Sequence, residues 1–432
     1  MHRTKALQAG ITAAACLAAW AAAPAAARTG PCNPAGGGPR CHLWNGKVKF
    51  IGDGDTISVH LDGQRKKAKP LRIRITGIQA MEEHVYTNDP KKRKGECHAN
   101  EATKRLEYLV KLSKGRVQLA AQRPGSHSTA QRPRRQVRVR INRHWRDVGR
   151  ILIGEGHALP LANKSEWAMN ASYARLAQRA AARRVQIWNS YYCGPGPQDL
   201  ASLRVWVNSN PAGLDAHAPN GEWVKVKNLD PAKPVPIGRW WLRDSGLRRY
   251  TFPAGATVPA GGSVTMFVGR GRRTGTDFFW GYGKSVFDNE GAHGTGDGAY
   301  LFDPEGDLRA WMMYPCRYHC NDPLKRKVKV TAHPRGAEHV AIKNVSGKAF
   351  DLEGYRLTAG PYGYAFPAGT VVRRGETLRV DVKGDPAGDE PLRKHWGLDK
   401  AILYNGGGSA RVSTFNDIVL GCDAWGNGSC SR

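Results

Sequence analysis

Residues 51–57 read IGDGDTI and residues 72–83 read RIRITGIQAMEE, and these two stretches decide the first third of the chain. Thr56–Leu61 and Arg72–Ile75 alternate apolar and polar residues at the period of a β-strand. Asp53, Gly54 and Asp55 form an acidic turn just before the first of them, able to aim a carboxylate at a divalent cation. By itself such a string is the composition of an ordinary hairpin turn. The second stretch adds chemistry. On a strand Arg72 and Arg74 project to one side and Ile73 and Ile75 to the other, and Glu82 follows in the next loop. A guanidinium and a carboxylate can then meet around one phosphate.

Working outward, Lys47–Ile51, Arg116–Ala120 and Val137–Ile141 are further predicted strands. Helices are predicted over His98–Leu112, Asp147–Gly156 and Glu166–Arg184, the last with Tyr173, Leu176 and Ala180 at helical spacing. Five strands with attached helices, and no strand–helix–strand alternation, predict an OB-type barrel rather than a doubly wound sheet. His98 and His157 read as ordinary structural residues without a relay partner. Arg123–Arg135, rich in Arg, Pro, Gly, Ser and Gln, fits an electrostatic track for a phosphate backbone and a solvated insertion equally well.

After a GPGPQ boundary at Gly194–Gln198 the chain repeats itself. WVKVKN (Trp223–Asn228) answers HVAIKN (His339–Asn344), YTFPAG (Tyr250–Gly255) answers YAFPAG (Tyr364–Gly369), and FWG (Phe279–Gly281) answers HWG (His395–Gly397). The offset stays at 114 or 116 throughout, which marks a duplication. Short alternating runs separated by Gly, Pro and Asp turns predict a small antiparallel sandwich in each copy, with the repeated Trp and Phe positions in its core. A second boundary falls near Asp322–Lys327. The expected organisation is therefore mainly β: a signal segment at 1–27, the basic barrel domain at 41–193, and sandwiches at 202–321 and 326–432.

Residues 1–27 carry Arg3 and Lys5, an apolar run from Ala6 to Ala23, and small residues up to Ala27. This is the pattern of a signal peptide cleaved near Ala27, and hence of a secreted protein. The run is Ala-rich and weakly hydrophobic, which ranks export ahead of a membrane anchor, and no transmembrane segment is expected in the mature chain. Cys16 leaves with the signal, so eight of nine cysteines remain, an even number suited to an oxidising compartment. Proximity suggests Cys32 with Cys41, Cys316 with Cys320 and Cys422 with Cys430, leaving Cys97 for Cys193, although sequence does not fix connectivity. No CxxC pair favours zinc instead. The formal net charge of +30 favours polyanionic partners: nucleic acid, envelope polymers or membrane surfaces.

The order DGDT, RIRITGIQAMEE, helix, basic strand and RDVGRILIGEGHALP, closed by a helix before Ile187 and Trp188, resembles the thermonuclease (staphylococcal nuclease-like) family over Val48–Trp188. The resemblance implies a five-stranded OB barrel and low-specificity endonuclease hydrolysis of DNA or RNA, with a divalent cation, calcium in the best-known members. Carried over by motif, Asp55 and Asp53 are the acidic residues at the metal, Ala80 offers a backbone carbonyl to it, Arg74 is the first phosphate-binding arginine and Glu82 activates water. The second catalytic arginine is Arg134 by inward-facing alternation counted back from Val137 and Val139, or Arg135 by the string GRxV; Arg134 is preferred. Arg72 and the other of the pair are left as substrate-binding residues. Two arginines offset the charge gained by a pentavalent phosphoryl transition state, and a carboxylate supplies the base.

Two positions depart from the family pattern. Gln79 stands where a second metal-binding aspartate is expected, which leaves an amide oxygen as the ligand, and Met81 replaces a proline. The two repeated regions resemble lamin-tail domains, small immunoglobulin-like sandwiches, and are expected to tether the chain to DNA, substrate or a cell-envelope polymer. The alternative function is a catalytically inactive nucleic-acid- or envelope-binding protein.

Overall fold

The structure is a computed structural model that describes residues 28–84, 95–194, 202–209, 219–289 and 291–431. The expected signal segment, Cys16 and most of the GPGPQ boundary lie outside the described residues. The described chain is mainly β, with three α-helices.

The first region contains β1 (Arg28–Pro31), β2 (Arg40–Asp53), β3 (Thr56–Leu61), β4 (Leu71–Ile75), β5 (Ile78–Ala80), β6 (Arg116–Ala121), β7 (Arg134–Ile141), β8 (His144–Asp147) and β9 (Ala158–Pro160). Its helices are α1 (Ala99–Leu112), α2 (Val148–Glu155) and α3 (Asn170–Ala182). Strands β2, β3, β4, β7 and β6 lie side by side in that order, and β6 pairs again with β2, so the five close into a ring. Closure removes the exposed strand edges an open sheet would carry. β4 and β7 run parallel, and this pairing sets Arg74 beside Arg134. Alternation explains the core. Ile57, Val59, Ile73, Ile75, Val117, Leu119, Val137 and Val139 are buried with Leu106 and Leu109 of α1 and Leu152 and Ile153 of α2. Each such side chain contributes roughly 1.5–3 kcal/mol by leaving water.

Two differences from the sequence expectations have local causes. β2 starts at Arg40 rather than Lys47 because β1 pairs with its first residues, and β5, β8 and β9 are strands too short to show a period. α3 begins at Asn170 rather than Glu166. Asn163 Oδ1 accepts from the backbone N–H groups of Ser165 and Glu166, each at 2.9 Å, and the Glu166 carboxylate accepts from Gln122 N at 2.7 Å and Arg123 N at 3.0 Å. These bonds hold the segment as a loop and spend its polar groups outside a helix.

The two later regions share one topology. In the first, Leu203–Asn208, Trp223–Asn228, Ser263–Phe267 and Asp277–Phe279 form one sheet, while Arg249–Thr251, Trp241–Arg243, Asp297–Phe302 and Leu308–Tyr314 form the other. In the second, Val328–His333, His339–Asn344, Thr377–Asp381 and Arg393–His395 answer the first sheet, and Tyr362–Ala365, Tyr355–Ala359, Gly407–Thr414 and Val419–Gly426 the second. Each pair of sheets buries its inner residues in one shared cluster, so both copies are sandwiches. The repeated aromatics do the same work in both. Tyr250 meets Phe252 edge-on at 5.1 Å and Tyr364 meets Phe366 at 5.5 Å, with Phe252 and Phe366 buried. Asn228 and Asn344 are buried and donate to paired backbone carbonyls. Glu222 and Glu338 also share a role, accepting from Val286 N and from Ile402 N, each at 2.7 Å.

The first sandwich is fused to the region of the strand ring. Trp241, Tyr300, Phe302, Leu308 and Met313 belong to the same buried cluster as the ring and helices, and Trp188 packs against Trp311 at 5.4 Å. Gln178 of α3 donates to Pro315 O at 2.8 Å and accepts from Arg317 N at 2.6 Å. Asp307 Oδ1 accepts from the N–H groups of Tyr192 and Cys193, and Asp307 and Asp303 pair with Arg309 in a cluster closed to solvent.

All four cysteine pairs suggested by proximity are disulfides: Cys32–Cys41, Cys97–Cys193, Cys316–Cys320 and Cys422–Cys430. Cys97–Cys193 links residues 96 apart in sequence and closes by far the longest loop. Its loss in Cys97→Ala/Cys193→Ala is expected to lower the unfolding free energy by about 2–5 kcal/mol. Urea titration checks this, and an unchanged midpoint would contradict it.

Candidate functional site

The acidic turn is built by its own first residue. Asp53 Oδ1 accepts from Asp55 N at 2.9 Å, which bends the chain between β2 and β3. Gly54 must be glycine there, because a Cβ would lie 2.7 Å from the Ala102 Cβ and 2.8 Å from the Ala80 Cβ. Asp55 thereby points inward and is 3% exposed. Its Oδ1 lies 2.6 Å from Arg74 Nη1 and accepts from Thr56 Oγ1 at 3.1 Å, while its Oδ2 accepts from Ala80 N at 2.9 Å. Burial pushes the Asp55 carboxyl up to about 7, against the pull of Arg74 in the other direction.

From Arg74 the network continues along the chain. Arg74 Nη2 donates to Gln79 Oε1 at 2.6 Å, and Gln79 Nε2 donates to Glu82 Oε1 at 2.8 Å and to Ala80 O at 3.1 Å. The orientation of the Gln79 amide follows from its partners: a reversed amide would set N–H against guanidinium N–H and oxygen against carboxylate oxygen. Glu82 N donates to Glu96 Oε2 at 2.9 Å, and Glu96 in turn pairs with Arg243 of the first sandwich at 3.6 Å. The sandwich thus reaches the loop that carries Glu82. Burial, followed by the nearby Asp53 charge, raises the Glu82 carboxyl above its ordinary value.

Arg134 stands beside Arg74 in the parallel β4–β7 register, and both line a cleft of about 290 Å³ together with Thr76, Gln79 and Arg132. Burial, then the like charge of Arg74, lowers the Arg134 guanidinium. Among the described residues no hydrogen bond or ion pair engages that guanidinium. Arg135 is different. It lies on the same side of β7 as Val137 and Val139, donates to Pro124 O at 2.7 Å and to Arg134 O at 2.7 Å, and stacks over Trp44 at 4.9 Å. Arg135 thereby anchors the preceding loop and is not among the residues that line the cleft with Arg74 and Arg134. Arg72 is exposed and lines an adjoining groove with Gln131 and Arg132.

Arg132 borders both spaces and donates to Thr56 Oγ1 at 3.0 Å. The sequence reading had it only as one of several loop arginines; its spacing of two from Arg134 was the available signal. The loop is not a free insertion, since Ser128 N bonds Arg132 O at 2.8 Å and Arg134 N bonds Ser126 O at 2.9 Å. The opposite wall comes from the first sandwich, through Asp244, Arg248, Asp288 and Asp297. Nothing local in the sequence links those residues to this site.

A hard divalent cation takes six or more oxygens in close contact. Both Asp55 oxygens, the Ala80 carbonyl and Gln79 Oε1 already accept from protein N–H or O–H groups or from the Arg74 guanidinium. The Gln79 N–H groups and the Arg74 guanidinium thus face these oxygens from the side a cation would take, with the Asp53 and Glu82 carboxylates close by. A second cluster, Cys97, His98 and Cys193, has its sulfurs joined in a disulfide, and His98 packs on Tyr192 at 4.2 Å, where burial pulls its imidazole down to about 4.

Comparison with known proteins bears on the later part of the chain. No curated protein matches it, and no thermonuclease family match accompanies the motifs around Asp55 and Glu82. Residues 180–316, which contain the first sandwich and the segment that docks it on the barrel region, match the Lamin Tail Domain family.

Proposed function

We propose that the chain is a phosphodiester hydrolase of DNA or RNA with little sequence specificity, its closed five-stranded ring being an OB-type barrel and its cleft at Arg74, Arg132 and Arg134 the reaction site. The observation that carries this reading is the pairing of Arg74 with Arg134 in register, with Glu82 tied to Arg74 through Gln79. Two guanidinium groups, one of them without a bonded partner among the described residues, suit the non-bridging oxygens of one phosphate. A water held by Glu82 gives up its proton to the carboxylate as its oxygen bonds phosphorus. The opposite ester P–O bond breaks, and the leaving oxygen takes a proton from solvent. The arginines offset the charge gained on the way.

The first sandwich supports a narrower substrate. A cleft of about 290 Å³ suits a group of roughly nucleotide size, and its far wall carries Asp244, Asp288 and Asp297. A space of that size, walled on its far side by the sandwich, has room for one phosphate backbone, so a single strand enters in preference to a duplex. Four disulfides support an oxidising, exported setting, and among the described residues no helix is long and apolar enough to cross a membrane. Tethering to an envelope polymer falls to the second sandwich, since the first is taken up by the barrel. The second reading, binding without cleavage, draws on the Arg74–Asp55 ion pair, which already occupies part of the Arg74 guanidinium.

Glu82→Gln and Arg134→Ala are each expected to lower cleavage of a single-stranded oligonucleotide by about 100-fold or more. Arg135→Gln is expected to act on stability rather than on kcat. Salt-sensitive binding with no cleavage by the wild type would favour the second reading. Because the base must be ionised and its carboxyl is raised, activity falls with acid at a pH above the ordinary Glu range. A pH–rate profile with its acid limb at an unperturbed carboxylate value would contradict the assignment of Glu82. Duplex of the same sequence is expected to be cut more slowly than the single strand.

A further inference from the structure

The Gln79 side chain bridges two oxygens, Glu82 Oε1 and Ala80 O, to the Arg74 guanidinium. Its Nε2 lies 2.8 Å from Glu82 Oε1 and 3.1 Å from Ala80 O, and its Oε1 lies 2.6 Å from Arg74, which is itself 2.6 Å from Asp55 Oδ1. A cation at this place would use those same oxygens and would stand against the Gln79 N–H groups and the Arg74 guanidinium that already face them. The two N–H bonds of an uncharged amide, with the Arg74 guanidinium, already supply positive ends toward Glu82, Ala80 and Asp55. Gln79 is 2% exposed and Asp55 3%, so both are held within this network of bonds.

We infer that Gln79 and Arg74 take the place of a divalent cation, so that this site binds and cleaves its phosphodiester without one. Gln79 is then a positioning residue: it holds the Glu82 carboxylate by an N–H bond and hands Arg74 to the cleft beside Arg134. The step needs no further reactant, because water, Glu82 and the two arginines are all on hand. A carboxylate in place of the amide reverses the arrangement. It removes both N–H donors, frees Ala80 O and Glu82 Oε1, and adds the negative oxygen that hard cations prefer.

This inference rests on the hydrolase reading for its activity arm and is independent of it for binding. The experiment is calorimetric titration of calcium and of manganese into the full-length protein, its Gln79→Asp variant and the closer-sized Gln79→Glu variant, with circular dichroism to verify folding. The wild type is expected to show no binding up to about 1 mM, the weak end of extracellular calcium sites, and at least one carboxylate variant is expected to bind. In parallel, single-strand cleavage by the wild type is expected to be the same within about twofold in EDTA and in calcium. Binding of either ion to the wild type, or EDTA-sensitive cleavage, overturns the inference, as do two folded carboxylate variants that bind no cation. If the wild type cleaves nothing under any condition, the hydrolase reading fails. Calorimetry still decides whether Gln79 stands in for the cation.

Discussion

The buried ion pair between Asp55 and Arg74 is the constraint on which the site depends. Removing both charges from water is expensive, and such a pair survives only where each remaining lone pair and N–H finds a partner. Here that demand organises the neighbourhood. Ala80 N and Thr56 Oγ1 complete the Asp55 oxygens, and Gln79 completes Arg74. Through its 2.6 Å contact with Arg74 Nη1, Asp55 sets the orientation of the guanidinium. Arg134 has no such anchor among the described residues and supplies the unengaged positive charge of the cleft.

A second constraint comes from the sandwich beside the barrel. Arg243 lies buried between Glu96 and the Met81 sulfur, and Glu96 also accepts from the Glu82 backbone. One arginine of a separate fold unit therefore positions the loop that carries the acidic group. With Trp188, Gln178 and the Cys97–Cys193 bridge, this ties the first sandwich to the barrel as one core, whereas the second sandwich meets the first through contacts such as Trp223 on Phe415 and Lys227 with Glu353. The first sandwich is thus a wall of the cleft, where the sequence suggested only a tether.

Much of this was legible in the residues for physical reasons. Strands such as Thr56–Leu61 show themselves because one face is buried, and the duplication shows itself because Asn228 and Asn344, or Phe252 and Phe366, meet the same local demands in both copies. Strand alternation puts Arg135, not Arg134, on the side of Val137 and Val139, so an inward-facing count does not by itself pick out Arg134; the parallel pairing with Arg74 does. The helix start at Asn170 was hidden, because side-chain bonds from Asn163 and Glu166 to distant backbone override a helical period. The cleft wall was hidden as well: Asp244, Arg248 and Asp297 reach Arg134 only through tertiary docking. Gln79 was visible as a departure, but its bridging of Arg74 to Glu82 needs coordinates to see.

The most direct test is a crystal structure with a short single-stranded oligonucleotide whose bridging ester oxygen at one position is replaced to resist cleavage. The phosphate at that position should contact the guanidinium groups of both Arg74 and Arg134, with Glu82 facing it across a water. A phosphate bound elsewhere on the basic surface, with Arg74 still turned wholly to Asp55 and Arg134 empty, would contradict the site described here.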